Sequence, residues 1–171
     1  MKLLKNIRRR QASDEAPVYT FTLAAPVSGR ILTLSEVNDP TFSEHILGDG
    51  FAIVPEEGVI TAPADAVIES VAQTRHAVSM RTDGGTELLI HVGIDTVELD
   101  GKYFNVTVSV GDHVRMGDVL IEADLDGVKQ AGYDTVTPVV VTNMDEYSSV
   151  SATADTAEAG MPFLILEPKT K

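Results

Sequence analysis

No cysteine occurs among the 171 residues of the chain. That excludes a disulfide framework, a thiolate nucleophile and any cysteine-ligated zinc site, and it fits a reducing compartment. No apolar run approaches the roughly 20 residues that a membrane-crossing helix needs. The first residues also lack the apolar block and small-residue cleavage site of a secretory signal, so the expected location is the cytoplasm. There is no Gly-x-x-x-x-Gly-Lys loop and no kinase signature, which removes the common ways of using a nucleoside triphosphate. Sustained 3.6-residue apolar periodicity is missing too. Only "TFSEHILG" (41–48), "DLDGVKQAG" (124–132) and "MDEYSSV" (144–150) offer a turn or two of helix.

Basic residues are few and unevenly placed. Five of the 13 (Lys2, Lys5, Arg8, Arg9 and Arg10) stand in the first ten positions, which hold no acid. The other eight face all 26 acidic residues, so the body of the chain carries a formal charge of −18. Such a body repels nucleic acid and favours basic partners. Residues 1–19 read as an arm ahead of a single domain at 20–171. Within the arm, Leu3, Leu4 and Ile7 share one side of a helical wheel with basic residues around them. That pattern suits a short helix lying on an anionic membrane surface through residues 1–12, at the inner face of the membrane; a solvated, disordered start is the other reading.

What fills the remainder is strand. "VYTFTL", "RILTL", "AVIESV", "ELLIHV", "YFNVTV", "TPVVVT" and "PFLILE" are short β-branched runs punctuated by Gly, Pro, Asn and Asp. With 43% hydrophobic residues the chain can bury one core. An all-β antiparallel sandwich or partly closed barrel with a few short helical turns follows. "APVSGRI" (25–31) echoes "APADAVI" (62–68), and Gly-Asp followed closely by valine occurs at Gly111 and again at Gly117, which suggests related turn-then-strand hooks.

The segment "TELLIHVGI" carries the chemistry. Strand alternation sends Leu88, Ile90, Val92 and Ile94 to a core face and Leu89, His91 and Gly93 to the other. Upstream, "QTRHAVSM" sends Thr74, His76 and Val78 to one side. Asp83-Gly84 between them signals a two-residue type I′ turn. That turn pairs His76 directly with His91, Val78 with Leu89, and Thr74 with Gly93, leaving space above the glycine. A Gly84-Gly85 turn makes the two histidines diagonal neighbours instead. His113, in the tight turn "VGDHV", reads as solvated, and His45 stands at the edge of a polar stretch.

Two adjacent imidazoles suit either metal or phosphoryl chemistry. Catalytic zinc needs a third protein ligand, and no acidic residue is placed on that face. Phosphoryl transfer fits better: one neutral imidazole attacks phosphorus while the second donates a hydrogen bond to the phosphoryl oxygens, with amides around Gly93 as further donors.

The stretch from "GDGFAIVPEEGVITAPADAVIESV" to "TPVVVTNMDE", above all "HVGIDTVEL" with "TPVVVTNMDE", resembles the glucose-class enzyme IIA proteins of the bacterial phosphoenolpyruvate-dependent sugar phosphotransferase system, over about residues 20–168. The resemblance implies a barrel-sandwich hybrid fold, His91 as the phosphorylated residue, and His76 as its assistant with Thr74 as hydroxyl neighbour. It implies a phosphoryl group received from the small carrier HPr and passed to a cysteine on the IIB domain of a sugar permease. It also implies one shallow docking face, made here of Phe42, Ile46, Leu47, Val78, Leu89 and Val97, with Asp39 and Asp95 as acidic anchors. No cofactor is required, and zinc shared by His76 and His91 is an accessory at most. The alternative within the same resemblance is a regulatory protein whose unphosphorylated form binds permeases or metabolic enzymes. A biotinyl or lipoyl carrier is the remaining class, but the only loose candidate lysine, Lys102, lacks the Met-Lys-Met or Asp-Lys-Ala tip.

Overall fold

The computed structural model describes residues 20–170. The basic arm, its membrane reading and the division at residue 19 lie outside that range. Among the described residues the chain forms fourteen short strands: β1 (Phe21–Ala24), β2 (Gly29–Thr33), β3 (Asp49–Pro55), β4 (Val59–Thr61), β5 (Ala66–Val71), β6 (Ala77–Thr82), β7 (Glu87–His91), β8 (Phe104–Val106), β9 (His113–Val114), β10 (Val119–Ala123), β11 (Thr137–Val141), β12 (Tyr147–Ala152), β13 (Thr156–Ala157) and β14 (Pro162–Pro168). Two short helices, α1 (Pro40–Ser43) and α2 (Leu125–Gln130), and three single turns of 3₁₀ helix complete it.

All strand pairs are antiparallel. The large sheet runs in the order β13-β2-β3-β11-β7-β6-β5-β9, and two three-stranded sheets, β1-β14-β12 and β4-β10-β8, accompany it. Each run read as a strand from the sequence overlaps one. The helical segments hold a turn or two, as expected: α2 lies within 124–132, and α1 stops at Ser43 because His45 takes a left-handed φ of +56°. "MDEYSSV" keeps one 3₁₀ turn and then becomes β12, since Tyr147 is buried and β14 supplies hydrogen-bond partners. The main core lies between the sheets around Ile53, Ile60, Ile68, Met80, Leu88, Ile90, Leu120, Phe163 and Leu166. A smaller cluster of Leu34, Val37, Phe42, Ala52, Ile94, Val136 and Val140 packs on the opposite face of the large sheet.

The echo at Gly111 and Gly117 is structural. Asp112 N–H donates to Ser109 O at 3.0 Å, and Asp118 N–H donates to Arg115 O at 2.9 Å. Each aspartate then accepts from the first amide of its own turn, Ser109 N at 2.9 Å and Arg115 N at 2.8 Å. Two copies of one Asp-closed turn therefore lead into β9 and β10.

The β6–β7 hairpin corrects the two-residue turn. Its loop is Asp83-Gly84-Gly85, closed by Thr82 and Thr86, and of these only Gly85 has a positive φ, +94°. That is the three-residue hairpin with a left-handed third residue. His91 consequently faces Ala77, Leu89 faces Ser79 and Ile90 faces Val78. The reason is hydrophobic. A two-residue turn would put Val78 and Met80 on the face of Leu89 and His91, whereas this register keeps both in the core with Leu88 and Ile90.

Asn143 holds the loop from outside. Its Nδ2 donates to Gly85 O at 3.0 Å, and its Oδ1 accepts from Glu87 N–H at 2.9 Å. Asn143→Ala should leave both groups unpaired and destabilise the fold by about 1–3 kcal/mol. Urea unfolding read by circular dichroism checks this; an unchanged midpoint would show that the loop holds its register without the clamp.

Candidate functional site

β7 ends at His91, and the chain then turns at Gly93, φ +82°. A Cβ at Gly93 would collide with the Thr96 methyl and come within 2.8 Å of Asp134 O. The expected space above Gly93 does not exist; glycine is there for close approach. The turn is tied on both sides. Ile94 N–H donates to Asp134 O at 3.0 Å, and buried Thr96 donates through Oγ1 to Val92 O at 2.6 Å. The tie presents the Gly93 carbonyl to the histidine, whose Nδ1–H donates to it at 2.7 Å. With the proton fixed on Nδ1, the lone pair resides on Nε2.

His76 reaches the same place by another route than the one expected. It precedes β6, and its carbonyl accepts from Val92 N–H at 2.7 Å. Arg75, at φ +62°, reverses the chain just before it, so strand alternation no longer governs its side chain. The two imidazoles meet edge to face with centroids 4.7 Å apart. Thr74 Oγ1 lies 2.9 Å from His76 Nδ1. The three polar side chains expected to cooperate are therefore brought together, although His76 and His91 are neither direct nor diagonal strand partners. The amides of Val92 and Ile94 are already spent on His76 O and Asp134 O, so they are not free donors.

The expected docking face splits in two. Ile46, Leu47 and Val97 are exposed large apolar side chains, and Leu89 is half-buried. Phe42 and Val78, in contrast, are buried, which removes both from any docking surface. Val78 is inward because of the hairpin register, and Phe42 because α1 packs it into the smaller core. Asp39 caps α1, its Oδ1 accepting from Thr41 N–H at 2.9 Å. Asp95 is exposed at φ +57° at the head of the Thr96–Leu99 turn. Both lie close enough to His91 to favour its charged form. His113, exposed as expected, pairs with Asp83 at 3.0 Å, and His45 with Asp49 at 3.2 Å, each away from the two central imidazoles.

Three contributors carry no sequence signal of their own. The Gly93 and Asp134 carbonyls are backbone groups, and Thr96 is a buried hydroxyl whose role depends on the turn it closes. Phe104, whose ring stands 6.5 Å from His76, is read only as a strand residue.

Electrostatics follow from burial. Desolvation, helped by repulsion from His76, pulls the His91 pKa down to about 4, against smaller opposite effects of the Gly93 carbonyl, Asp39 and Asp95. Desolvation also lowers His76, partly opposed by its hydrogen bond with the Thr74 backbone. Near pH 7 His91 is thus a neutral base with an available lone pair, the state a nucleophile needs. Among the described residues no three metal-ligating side chains converge.

Residues 21–147 match the model of the family described as phosphoenolpyruvate-dependent sugar phosphotransferase system, EIIA 1. The glucose-specific EIIA component of Halalkalibacterium halodurans is 40% identical over 165 residues, 96% of this chain and 95% of that protein. The β-glucoside-specific EIIBCA component of Dickeya chrysanthemi is 47% identical over 142 residues, 83% of this chain, which spans only 22% of that longer protein. Glucose permease IIA from Mycoplasma capricolum has a similar structure, with a TM-score of 0.79 at 34% identity over 86% of this chain and 96% of that one.

Neutral burial has a cost in acid. Between pH 6.5, the unperturbed value, and about 4, the unfolded chain binds a proton at His91 that the folded chain excludes. Stability therefore falls as pH falls through that window, by on the order of 3 kcal/mol at its foot. His91→Gln, which cannot titrate, should show a shallower loss between about pH 7 and pH 4.5 in urea unfolding. Parallel losses for both proteins would mean that His91 is not held neutral.

Proposed function

Because the chain belongs to the EIIA 1 family of the phosphoenolpyruvate-dependent sugar phosphotransferase system, a phosphotransferase component, we propose that His91 is the residue on which it carries the phosphoryl group. The observation that carries this reading is the Nδ1–H···O bond to Gly93, which leaves a neutral imidazole with its lone pair on Nε2. The donor is the phosphohistidine of HPr, and the acceptor is the IIB cysteine of a sugar permease. His91 Nε2 attacks the donor's phosphorus; the new N–P bond forms as the donor's N–P bond breaks, its electron pair returning to the donor imidazole. In the second step the IIB thiolate attacks the same phosphorus, and His91 recovers its lone pair.

His76 serves both steps. The Thr74 hydroxyl stands 2.9 Å from His76 Nδ1; in the tautomer in which it donates to Nδ1, the His76 proton sits on Nε2, where it can be donated to phosphoryl oxygens. This matters because a phosphoryl group brings roughly −1.5 to −2 of charge to a body that already carries many acids. Exposed Ile46, Leu47 and Val97 supply the apolar ground on which HPr and IIB dock in turn, with Leu89 at its edge and Asp39 and Asp95 beside it. Among the described residues no helix is long and apolar enough to cross a membrane. The protein works in the cytoplasm, and the five basic residues of the arm hold it loosely against the anionic inner face, near the permease. No cofactor enters the cycle. His76 and His91 each have Nδ1 engaged and together offer zinc two nitrogens, half of a four-coordinate set, so zinc is an accessory that needs ligands from a partner.

Incubation with phosphoenolpyruvate, enzyme I and HPr should give an acid-labile adduct mapped to His91, and ATP alone should give none. His91→Ala should abolish acceptance. His76→Gln should accept but transfer roughly a hundred to a thousand times more slowly, which rapid-quench kinetics from phospho-HPr and on to IIB would measure. Phosphorylation of His91→Ala at normal rate would overturn the assignment. Removal of residues 1–12 should abolish sedimentation with anionic vesicles while leaving transfer from HPr unchanged; equal sedimentation would discard the membrane role.

A further inference from the structure

Phe42 reads from the sequence as a docking residue, yet it is only 3% exposed. What it touches is the nucleophile. Its ring centroid lies 5.1 Å from that of His91 at an interplanar angle of 61°, while His76 lies 4.7 Å from His91 at 78°. The His91 ring is therefore bounded by two rings, with Nδ1 tied to the Gly93 carbonyl.

The place of Phe42 is itself tightly determined. Pro40 opens α1, and the Asp39 carboxylate takes the Thr41 amide. The Asp39 carbonyl accepts from Phe42 N–H at 3.0 Å and Ser43 N–H at 2.8 Å. Beneath, Leu34, Val37, Ala52, Ile94, Val136 and Val140 enclose the side chain. The ring cannot move outward to meet a partner without breaking this cap and opening the smaller core.

We propose that Phe42 is a positioning residue for the phosphoryl acceptor: mounted on α1 by the Asp39 cap, its ring excludes water from the His91 imidazole and holds it in the orientation that keeps the proton on Nδ1 and the lone pair on Nε2. This rests on His91 being the acceptor. The physical basis is that an aromatic wall removes solvation from the charged imidazolium more than from the neutral base. Opening that wall readmits water, which favours the charged form. The other groups acting on His91 are His76, whose charge opposes protonation, and Asp39 and Asp95, which favour it. All three remain when Phe42 is changed, so the direction of the effect is set: the His91 pKa rises toward the ordinary range, and the neutral, Nδ1-protonated population falls.

The test uses the full chain and two readouts that a purely structural residue would not move. Phe42→Leu and Phe42→Met keep the core apolar but remove the ring. Nitrogen-15 NMR of the imidazoles gives the His91 titration and tautomer without any phosphoryl donor, and stopped-flow transfer from phospho-HPr separates kcat from KM. We expect wild-type His91 to be almost wholly the Nδ1–H tautomer, and the variants to titrate about one pH unit or more higher with mixed tautomers. We expect kcat to fall about tenfold or more with KM within about twofold of wild type. Unmoved titration and kcat would overturn the proposal, as would a rise in KM alone, which would make Phe42 a docking residue after all. Should both variants fail to fold, a wild-type His91 found mainly as the Nε2–H tautomer overturns it, and an Nδ1–H tautomer with through-space contacts to the Phe42 ring supports it. If even wild type takes no phosphoryl group, the function proposed above falls, while the titration still decides the role of Phe42.

Discussion

Everything at the site depends on the hydrogen bond from His91 Nδ1 to the carbonyl of Gly93. It settles which nitrogen is protonated, and through that which nitrogen can attack. The bond exists because the chain turns sharply at Gly93, where any side chain would strike Thr96 and the Asp134 backbone. The turn in turn is held by the Thr96 hydroxyl on Val92 O and by Ile94 N–H on Asp134 O. A chain of four small contacts therefore ends in a chemical property, the tautomer of one imidazole.

A second constraint is electrostatic. The protein is strongly acidic, with 26 acidic residues against 13 basic ones, and Asp39 and Asp95 favour the protonated form of His91. Protonated, it could not act as a nucleophile. Desolvation by the surrounding protein, with the neighbouring His76, outweighs the pull of Asp39 and Asp95 and keeps His91 neutral. The same acidity disfavours an incoming phosphoryl group, which is why a donor such as His76 belongs beside the acceptor. Its position follows from Arg75, whose left-handed backbone turns His76 out of the strand pattern and onto the His91 ring.

Much of this is legible in the chain itself. Alternation in "TELLIHVGI" separates His91 from the core residues Leu88, Ile90, Val92 and Ile94, and all four are buried. The punctuated apolar runs mark the strands, and the paired Gly-Asp motifs mark two matching turns. Two errors share a cause. The hairpin shifts by one residue because the burial of Val78 and Met80 outranks the local preference of Asp-Gly for a two-residue turn. Phe42 lies inside because α1 rests on a second core whose other members, such as Ile94 and Val140, are far away in sequence.

The sequence by itself determined an all-β chain, an acidic body, and two histidines and a threonine as candidates for phosphoryl chemistry, although through a strand pairing that the fold does not use. These are properties of composition and short-range periodicity, which neighbouring residues specify together. Tertiary structure alone decided the register of β6 against β7, the burial of Phe42 and Val78, and the tautomer and low pKa of His91. Those depend on contacts between segments distant in the chain and on exclusion of water from their junction, and neither is encoded at any single position.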